Sequence, residues 1–329
     1  MKMSRSCLSA PAIAAAALCL CATPGAVAQS GFPSRPITML VGFAPGGGTD
    51  TAARIVAKRL GGTMGQSIVV ENNAGAGGNI AHEMLAKAVP DGHTILLGSV
   101  GSLAVAPHIV SNLPYNPLRD FAPLTMAVTF PNVLVVHPSV PAKTLAEFVK
   151  LAAAKPGAVN YGSSGIGGAG HLAGELLAMV ANVKMIHVPY KGGAPAMADL
   201  LGGQIMSIFA APPSAVPHMK AGKVRALAST GASRSVAMPD VPTVAESGYP
   251  GYEALNWYCY LAPGKTPREI VQRWNRELVA ILSEQDIKGQ LLTYGMEAAP
   301  GSGDALQKYI EREYAVWGKV VKTAGITAN

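Results

Sequence analysis

The chain has 329 residues, 49% of them apolar and 14% charged, with 26 Lys and Arg against 19 Asp and Glu. This length is enough for a large core and favours two domains. The basic residues are scattered along the chain, which indicates a solvated surface with a mild attraction for anions and argues against a nucleic-acid-binding protein.

The first 28 residues have the features of a secretory signal peptide. Lys2 and Arg5 precede a short apolar run at residues 13–21, and Ala26-Val27-Ala28 offers a small-x-small cleavage site. The apolar run is shorter than the roughly 20 residues of a membrane span. We therefore expect export to the periplasm with cleavage near Ala28. Cleavage leaves Cys259 as the remaining cysteine, so an internal disulfide is not expected.

From Arg35 onward, predicted strands and helices alternate. The first part predicts strands at 37–43, 67–71 and 94–97, with helices at 49–60 and 79–89. The middle predicts strands at 133–136, 159–161, 184–188, 205–210 and 224–229, with helices at 145–154, 169–180, 194–201 and near 217–221. An aromatic strand at 252–262 precedes two long amphipathic helices at 267–282 and 306–324. This alternation predicts parallel sheets covered by helices.

Two stretches interrupted by Pro or Gly, at 125–138 and 247–261, are candidate crossings between domains. They predict a first lobe at 29–130 plus 250–329 and a second lobe at 131–249. Two crossings also imply that the C-terminal helices return to the first lobe.

Six loops that join a predicted strand to a helix consist mostly of Gly, Ser, Thr and Asn. In open α/β sheets, ligands bind at the carboxyl ends of the strands, where such loops meet. Helix starts present unpaired N–H groups and partial positive charge, so several together predict an anion site. For any single loop, ordinary turn or capping chemistry is the simpler interpretation, and Asp50 is a good helix-capping residue. The loops lie at 44–50, 72–78, 98–102, 162–168, 189–193 and 210–214.

Motifs of catalysis and of metal or cofactor binding are incomplete. The G-x-G-x-x-G pattern at 165–170 lacks the acidic residue about 20 positions later that a dinucleotide site requires. His171 and Glu175 share a helix face but lack a third metal ligand. Cys259 lies in an apolar strand and is expected to be a buried thiol. We therefore expect no catalytic group, metal or cofactor.

Taken together, the loops resemble the Bug/TctC family, the extracytoplasmic solute receptors of tripartite tricarboxylate transporters. The resemblance runs in order from about Phe32 to the C-terminus. Two departures are Gly48, where many relatives have a variable residue, and Ala74, where Pro is frequent. The matching segments are 43–50, 71–78, 91–94, 161–167, 171–172 and 188–192.

The resemblance implies a type II periplasmic-binding-protein fold, with two α/β lobes joined by two crossover strands that close on a ligand. It implies binding of a di- or tricarboxylate, an acidic amino acid or an aromatic acid, and delivery to a membrane permease. Loop 44–50 would grip a carboxylate from the first lobe, and residues 163–168 and 190–192 would meet it from the second. The loops and the resemblance together nominate as ligand-binding residues Phe43, Ala44, Pro45, Gly46, Gly47, Gly48, Thr49, Asp50, Asn73, Ser99, Ser102, Ser163, Ser164, Gly165, Gly167, Gly168, His171, Tyr190, Lys191, Gly192 and Ala211.

Two alternatives stay open at this point. An exported enzyme could use the same cleft, although the sequence shows no persuasive set of acid, base and nucleophile. A receptor that presents its ligand to a sensor protein would have the same sequence features as a transport receptor. A monomer is expected in each case.

Overall fold

The computed structural model describes residues 31–327, so the expected signal peptide lies outside the described part. In chain order the strands are β1 (Ile37–Val41), β2 (Ile68–Asn72), β3 (Thr94–Ser99), β4 (Phe121–Pro131), β5 (Val133–Val136), β6 (Asn160–Ser163), β7 (Ile186–Pro189), β8 (Ser207–Ala210), β9 (Arg225–Ser229), β10 (Leu255–Pro263) and β11 (Glu297–Ala298). The α-helices are α1 (Gly48–Met64), α2 (Asn79–Lys87), α3 (Ala106–Ile109), α4 (Leu145–Ala154), α5 (Ala169–Val180), α6 (Gly193–Leu201), α7 (Pro212–Lys220), α8 (Arg268–Ser283), α9 (Gln285–Thr293) and α10 (Gly303–Ala324). A short π-helical segment, Gly101–Val105, precedes α3.

The strands form two separate sheets. One has the order β11-β4-β10-β3-β1-β2 and the other β7-β6-β8-β5-β9. Helices α1, α2, α8 and α10 pack on the first sheet, and α5, α6 and α7 pack on the second. We refer to the first sheet with its helices as the first lobe and to the second as the second lobe.

Both sheets are mixed, which corrects the prediction of parallel sheets. Strands β2 and β3 flank β1 in parallel, and β7 and β8 flank β6 in parallel. In contrast, β10 runs antiparallel to β3 and β4, and β5 runs antiparallel to β8 and β9. The antiparallel strands include those that cross between lobes. Two consecutive parallel strands need a crossover connection, usually a helix, between them. A strand that enters the sheet from the other lobe does not need one.

The two crossings lie side by side. Strand β4 ends at Pro131 in the first sheet and β5 begins at Val133 in the second, with Asn132 between them. Thr230, just after β9, joins this crossing to the returning chain. Its Oγ1 accepts the Asn132 backbone N–H at 2.9 Å and donates to the Ala254 carbonyl oxygen at 2.7 Å. One buried hydroxyl therefore ties both crossings together.

The C-terminal helices return to the first sheet, and they carry two of the three tryptophans. Trp274 of α8 is fully buried and donates to the Gly92 carbonyl oxygen at 3.1 Å. Trp257 of β10 and Trp317 of α10 both donate to Glu313 Oε2, at 3.2 and 3.3 Å. These contacts fix α8 and α10 against the first lobe. Among the helices of residues 31–327, none combines the length and apolar character needed to cross a membrane.

Candidate ligand-binding cleft

A small cavity lies where the two lobes meet, with a volume of about 30 Å³. This is room for roughly two water molecules, so the lobes are close together in this conformation. Its wall is formed by residues of β3, β8 and β10, by residues that follow β1, β3, β4, β6 and β8, and by the first residues of α1, α5 and α6. The lining consists of Phe43, Gly47, Gly48, Thr49, Ser99, Val100, Gly101, Asn132, Ser164, Gly168, Ala169, Gly170, Gly193, Ile208, Phe209, Ala210, Ala211, Asn256 and Tyr258.

Three helices begin at this cavity without a capping side chain. The N-cap residues of α1, α5 and α6 are Gly47, Gly168 and Gly192, and none has a side-chain hydrogen bond to the first turn. The first-turn N–H groups of these helices therefore stay free of capping side chains. Helix α7 also begins here, but its first two residues are Pro212 and Pro213, which have no N–H. The cavity thus receives the partial positive ends of three helices.

The side chains that line the cavity are uncharged: no Asp, Glu, Lys, Arg or His is among them. The polar ones are hydroxyl and amide groups. Burial raises the pKa of Tyr258 to about 12, and hydrogen bonds with Thr49 and Asn256 act in the opposite direction. The Tyr258 hydroxyl is therefore protonated at neutral pH and can donate. Any attraction for an anion must come from amides, hydroxyls and helix ends, because no cationic side chain lines the wall.

Asp50 lies behind the lining, in the first turn of α1. Its carboxylate accepts the Gly46 backbone N–H at 3.0 Å, Arg54 Nε at 2.9 Å and Asn72 Nδ2 at 3.0 Å. Burial raises the pKa of Asp50, but the hydrogen bonds from Arg54, Gly46 and Asn72 outweigh it and hold the pKa below its usual value. The carboxylate is therefore ionised and shapes the loop between β1 and α1.

A group of polar side chains lies beside the cavity in the second lobe, where Ser163 and His171 are buried and His187 is half-buried. Ser163 Oγ is 2.7 Å from His187 Nε2, and the His187 ring stacks on His171 with ring centroids 4.0 Å apart. His171 Nδ1 accepts the Gly167 backbone N–H at 3.1 Å. Burial, with His171 nearby, lowers the pKa of His187 to about 3. Ser163 is fully buried outside the cavity lining, so this serine–histidine contact supports the loop and does not expose a nucleophile.

Metal ligands do not gather in the described residues: between 31 and 327, no group of three or more His, Cys, Asp or Glu could hold a metal ion. Cys259 is fully buried, and burial raises the pKa of its thiol above the ordinary range. The thiol is therefore protonated and enclosed.

The two lobes touch through their backbones at two places. At the first, the Ala44 N–H donates to the Lys191 carbonyl oxygen at 3.0 Å. At the second, a Cβ atom at Gly77 would lie 2.4 Å from the Ile166 carbonyl oxygen, and one at Gly101 would lie 3.0 Å from that of Gly167. Only glycine permits such close approach. The lobes are therefore in direct backbone contact in this conformation.

The structure brings part of the nominated set together at the cavity wall. Phe43, Gly47, Gly48, Thr49, Ser99, Ser164, Gly168 and Ala211 line it. The other candidates lie outside this lining, and ligand contact by them stays a prediction: Ala44, Pro45, Gly46, Asp50, Asn73, Ser102, Ser163, Gly165, Gly167, His171, Tyr190, Lys191 and Gly192.

Sequence reasoning did not nominate Asn132 and Asn256, which line the cavity from the two crossing segments. Asn132 lies between two strands and Asn256 lies within β10, so neither belongs to a loop between a strand and a helix. A signal was nevertheless present. Each is a single polar residue inside an apolar run, Phe130-Pro131-Asn132-Val133 and Leu255-Asn256-Trp257. A buried polar side chain in such a run needs a partner.

Comparison with known protein families shows which family has this architecture. Residues 52–326 match the family described as the tripartite tricarboxylate transporter family receptor, TctC. The chain belongs to this family. The resemblance predicted from the loop motifs is therefore confirmed.

Three solved structures are similar to this chain over most of its length. The periplasmic binding protein BugD is 34% identical with a TM-score of 0.87, and the match covers 90% of this chain and 99% of BugD. Rpa4515 from R. palustris, solved with adipate, is 39% identical with a TM-score of 0.87, covering 90% and 99% of the two chains. MatC from Rhodopseudomonas palustris, with bound malate, is 33% identical with a TM-score of 0.84, covering 88% and 100%. These matches confirm the predicted two-lobed periplasmic-binding-protein fold.

Proposed function

We propose that this chain is a periplasmic receptor that binds one small carboxylate between its lobes and delivers it to the membrane permease of a tripartite tricarboxylate transporter. The observation that carries the proposal is the convergence of α1, α5 and α6 on a cavity with no charged side chain. Helix starts of this kind bind anions through N–H groups and partial positive charge.

The magnitudes indicate what else binding requires. A helix N-terminus contributes about 0.3–1 kcal/mol to an exposed anion and up to about 2 kcal/mol to a partly buried one. Micromolar affinity needs about 8 kcal/mol. Three helix ends therefore fall short, and direct hydrogen bonds from amides and from the hydroxyls of Thr49, Ser99 and Tyr258 must supply the remainder, together with closure of the lobes over the ligand.

The relatives support the class of ligand and the compartment. Adipate and malate, the molecules in the structures of Rpa4515 and MatC, are both carboxylates. BugD is described as periplasmic, which agrees with the signal peptide expected here. The uncharged cavity wall supports binding without turnover, since it presents no ionised acid, base or thiol to a bound molecule.

Ligand binding is tested with the mature protein, stripped of co-purified ligand by unfolding and refolding. Melting and calorimetry against a panel of organic acids should show saturable 1:1 binding by at least one of them. An acid present at 100 times its Kd should add about 2.7 kcal/mol to the free energy of unfolding. Small-angle scattering should show a smaller radius of gyration in the loaded protein. A panel in which sugars or cations stabilise the protein and acids do not would refute the proposal, and consumption of the acid over time would indicate an enzyme.

Delivery is tested separately. Cells that lack the chain should lose uptake of the acid identified by calorimetry and regain it on complementation. Unchanged uptake together with tight binding would favour a receptor that presents its ligand to a sensor.

A further inference from the structure

Two side-chain amides meet at the crossing segments, where they form part of the cavity wall. Asn256 Nδ2 donates to Asn132 Oδ1 at 3.4 Å. Asn132 is 1% exposed and Asn256 is 8% exposed. Asn132 Nδ2 and Asn256 Oδ1 are buried without a hydrogen-bond partner in the protein. The pair therefore leaves the amide NH2 group of Asn132 and the carbonyl oxygen of Asn256 without a partner in the protein.

A third unpartnered atom lies in the same wall. Ser99, at the end of β3, is 4% exposed, and its Oγ has no partner in the protein. Buried polar atoms are nearly always hydrogen-bonded, because an unsatisfied one keeps its full desolvation cost. These three atoms belong to residues that line one cavity, where a polar group of a ligand or an ordered water would be their partner.

The chemistry of this partner follows from the amide pair. One amide must donate and the other accept for the two to bond, so reversing both amides still leaves one amide NH2 group and one carbonyl oxygen. A matching group must both accept and donate. An alcohol hydroxyl or a primary carboxamide does so, whereas an ionised carboxylate can only accept and would face the carbonyl oxygen. No cationic side chain in the lining offsets a second negative charge.

We infer that the Asn132–Asn256 pair, with Ser99, binds a neutral hydroxyl or carboxamide group of the ligand, while the helix N-termini bind its carboxylate. The inference rests on the proposed carboxylate-binding function and narrows it. The preferred ligands are small monocarboxylates that carry one hydroxyl or carboxamide, and simple dicarboxylates such as the adipate of Rpa4515 are disfavoured.

Matched acids test the preference in the unaltered mature protein by calorimetry at pH 7.5. The pairs are succinamate with succinate, glutaramate with glutarate, and 3-hydroxypropionate with malonate, with adipate and malate added for reference. The amide or hydroxyl member should bind at least about 10-fold more tightly, since a buried donor and acceptor are left unpaired by the diacid. Diacids that bind as tightly as their partners overturn the inference and leave the receptor function standing. If no acid of any kind binds, the proposed function itself fails.

Variants test whether this pair is responsible. Replacing both amides by leucine (N132L with N256L) removes the unpaired atoms together, so the affinity ratio between succinamate and succinate should fall towards one. An unchanged ratio in the folded double variant contradicts the assignment. Ser99→Ala gives a milder test, with succinamate or 3-hydroxypropionate binding weakened roughly 3- to 10-fold. Ser229→Ala is its matched control, because Ser229 Oγ is also buried and unpartnered but lies outside the cavity lining. Equal weakening by both serine variants would contradict the role of Ser99.

Discussion

Gly101 faces the backbone of the second lobe across the cleft. A Cβ atom there would lie 3.0 Å from the Gly167 carbonyl oxygen and 3.1 Å from Gly168 Cα. Gly101 has no positive φ, so alanine fits its own backbone and disturbs only the approach of the lobes. Contacts this short with backbone atoms cannot be relieved by a side-chain rotation.

We expect Gly101→Ala to weaken ligand binding by 10-fold or more while changing the melting temperature of the unloaded protein little. Calorimetry and small-angle scattering measure the two effects, and the loaded variant should be less compact than the loaded wild-type protein. The control is Gly62→Ala, an exposed position in α1 where a Cβ atom meets nothing within 4 Å. That change should add about 0.5–1 kcal/mol of stability and leave binding unchanged.

The hydrogen bonds that Asp50 accepts should stabilise the fold. Asp50→Ala leaves the Gly46 N–H without its acceptor and removes one of the two acceptors of Asn72 Nδ2, so the free energy of unfolding should fall by about 2 kcal/mol. Arg54→Ala should cost less than about 1 kcal/mol, because the Arg54 side chain is 53% exposed. Urea unfolding measures both. Lost binding with unchanged stability in Asp50→Ala would instead support direct ligand contact by Asp50.

Individual residues were only partly predictable from sequence. The position of Asp50 at a helix start indicated a capping role, but its carboxylate accepts the N–H of Gly46, which precedes the helix, and α1 has no side-chain cap. Glycine-rich loops also pointed to Gly47, Gly48 and Gly168. Asn132 could not be assigned this way, because its role depends on Asn256, 124 positions later in the chain. Local pattern carries no information on such a pairing.

At the scale of elements, histidines on α2, α5 and β7 should make the fold sensitive to acid. Burial lowers the pKa of His82 to about 4, although a hydrogen bond with the Gly78 carbonyl oxygen opposes this. Burial likewise lowers the pKa of His171, with Glu175 opposing, and that of His187 to about 3. In the unfolded chain these imidazoles take up protons near pH 6.5, whereas the folded protein does so only at lower pH.

The stabilisation that these neutral imidazoles give the folded state is therefore fully present above pH 6.5 and is lost as the pH falls towards 4. Each imidazole can contribute up to about 1.4 kcal/mol per pH unit in this window. Urea unfolding at pH 7.5, 6.0 and 5.0 should show the decline. His82→Gln, which keeps a donor for the Gly78 carbonyl oxygen, should make the slope shallower, and the control His218→Gln on α7 should not. A slope that is the same in wild type and His82→Gln would contradict the assignment.

Elements with clear start signals were the most predictable. The bounds of α4 and α5 agree with those predicted from the sequence. Thr144 caps α4 by accepting the Glu147 N–H. Strand β4 was not predicted as a strand, and residues 125–138 were identified only as a candidate crossing, because Pro123 and Pro131 are unusual within a strand. Helix α9 was missed, since Gly289 lies in its middle and its sequence lacks a clear apolar face.

At the scale of the whole molecule, alternating elements and two crossings were enough to predict a two-lobed α/β protein. The exact lobe boundaries at 130/131 and 249/250 stay predictions. The antiparallel direction of β5 and β10 could not be read from composition, since an apolar strand looks alike in either direction. The backbone contact between Ala44 and Lys191 could not be predicted from the sequence either, because it exists only when the lobes are together.

The indole rings lie in one lobe of the molecule. All three tryptophans of the chain, Trp257, Trp274 and Trp317, belong to β10, α8 and α10, which form part of the first lobe. Excitation near 295 nm therefore reports on one half of the molecule without any added dye. If the halves melt at different temperatures, fluorescence will follow one of them while circular dichroism follows both, and the gap between the two curves will measure how strongly the halves depend on each other.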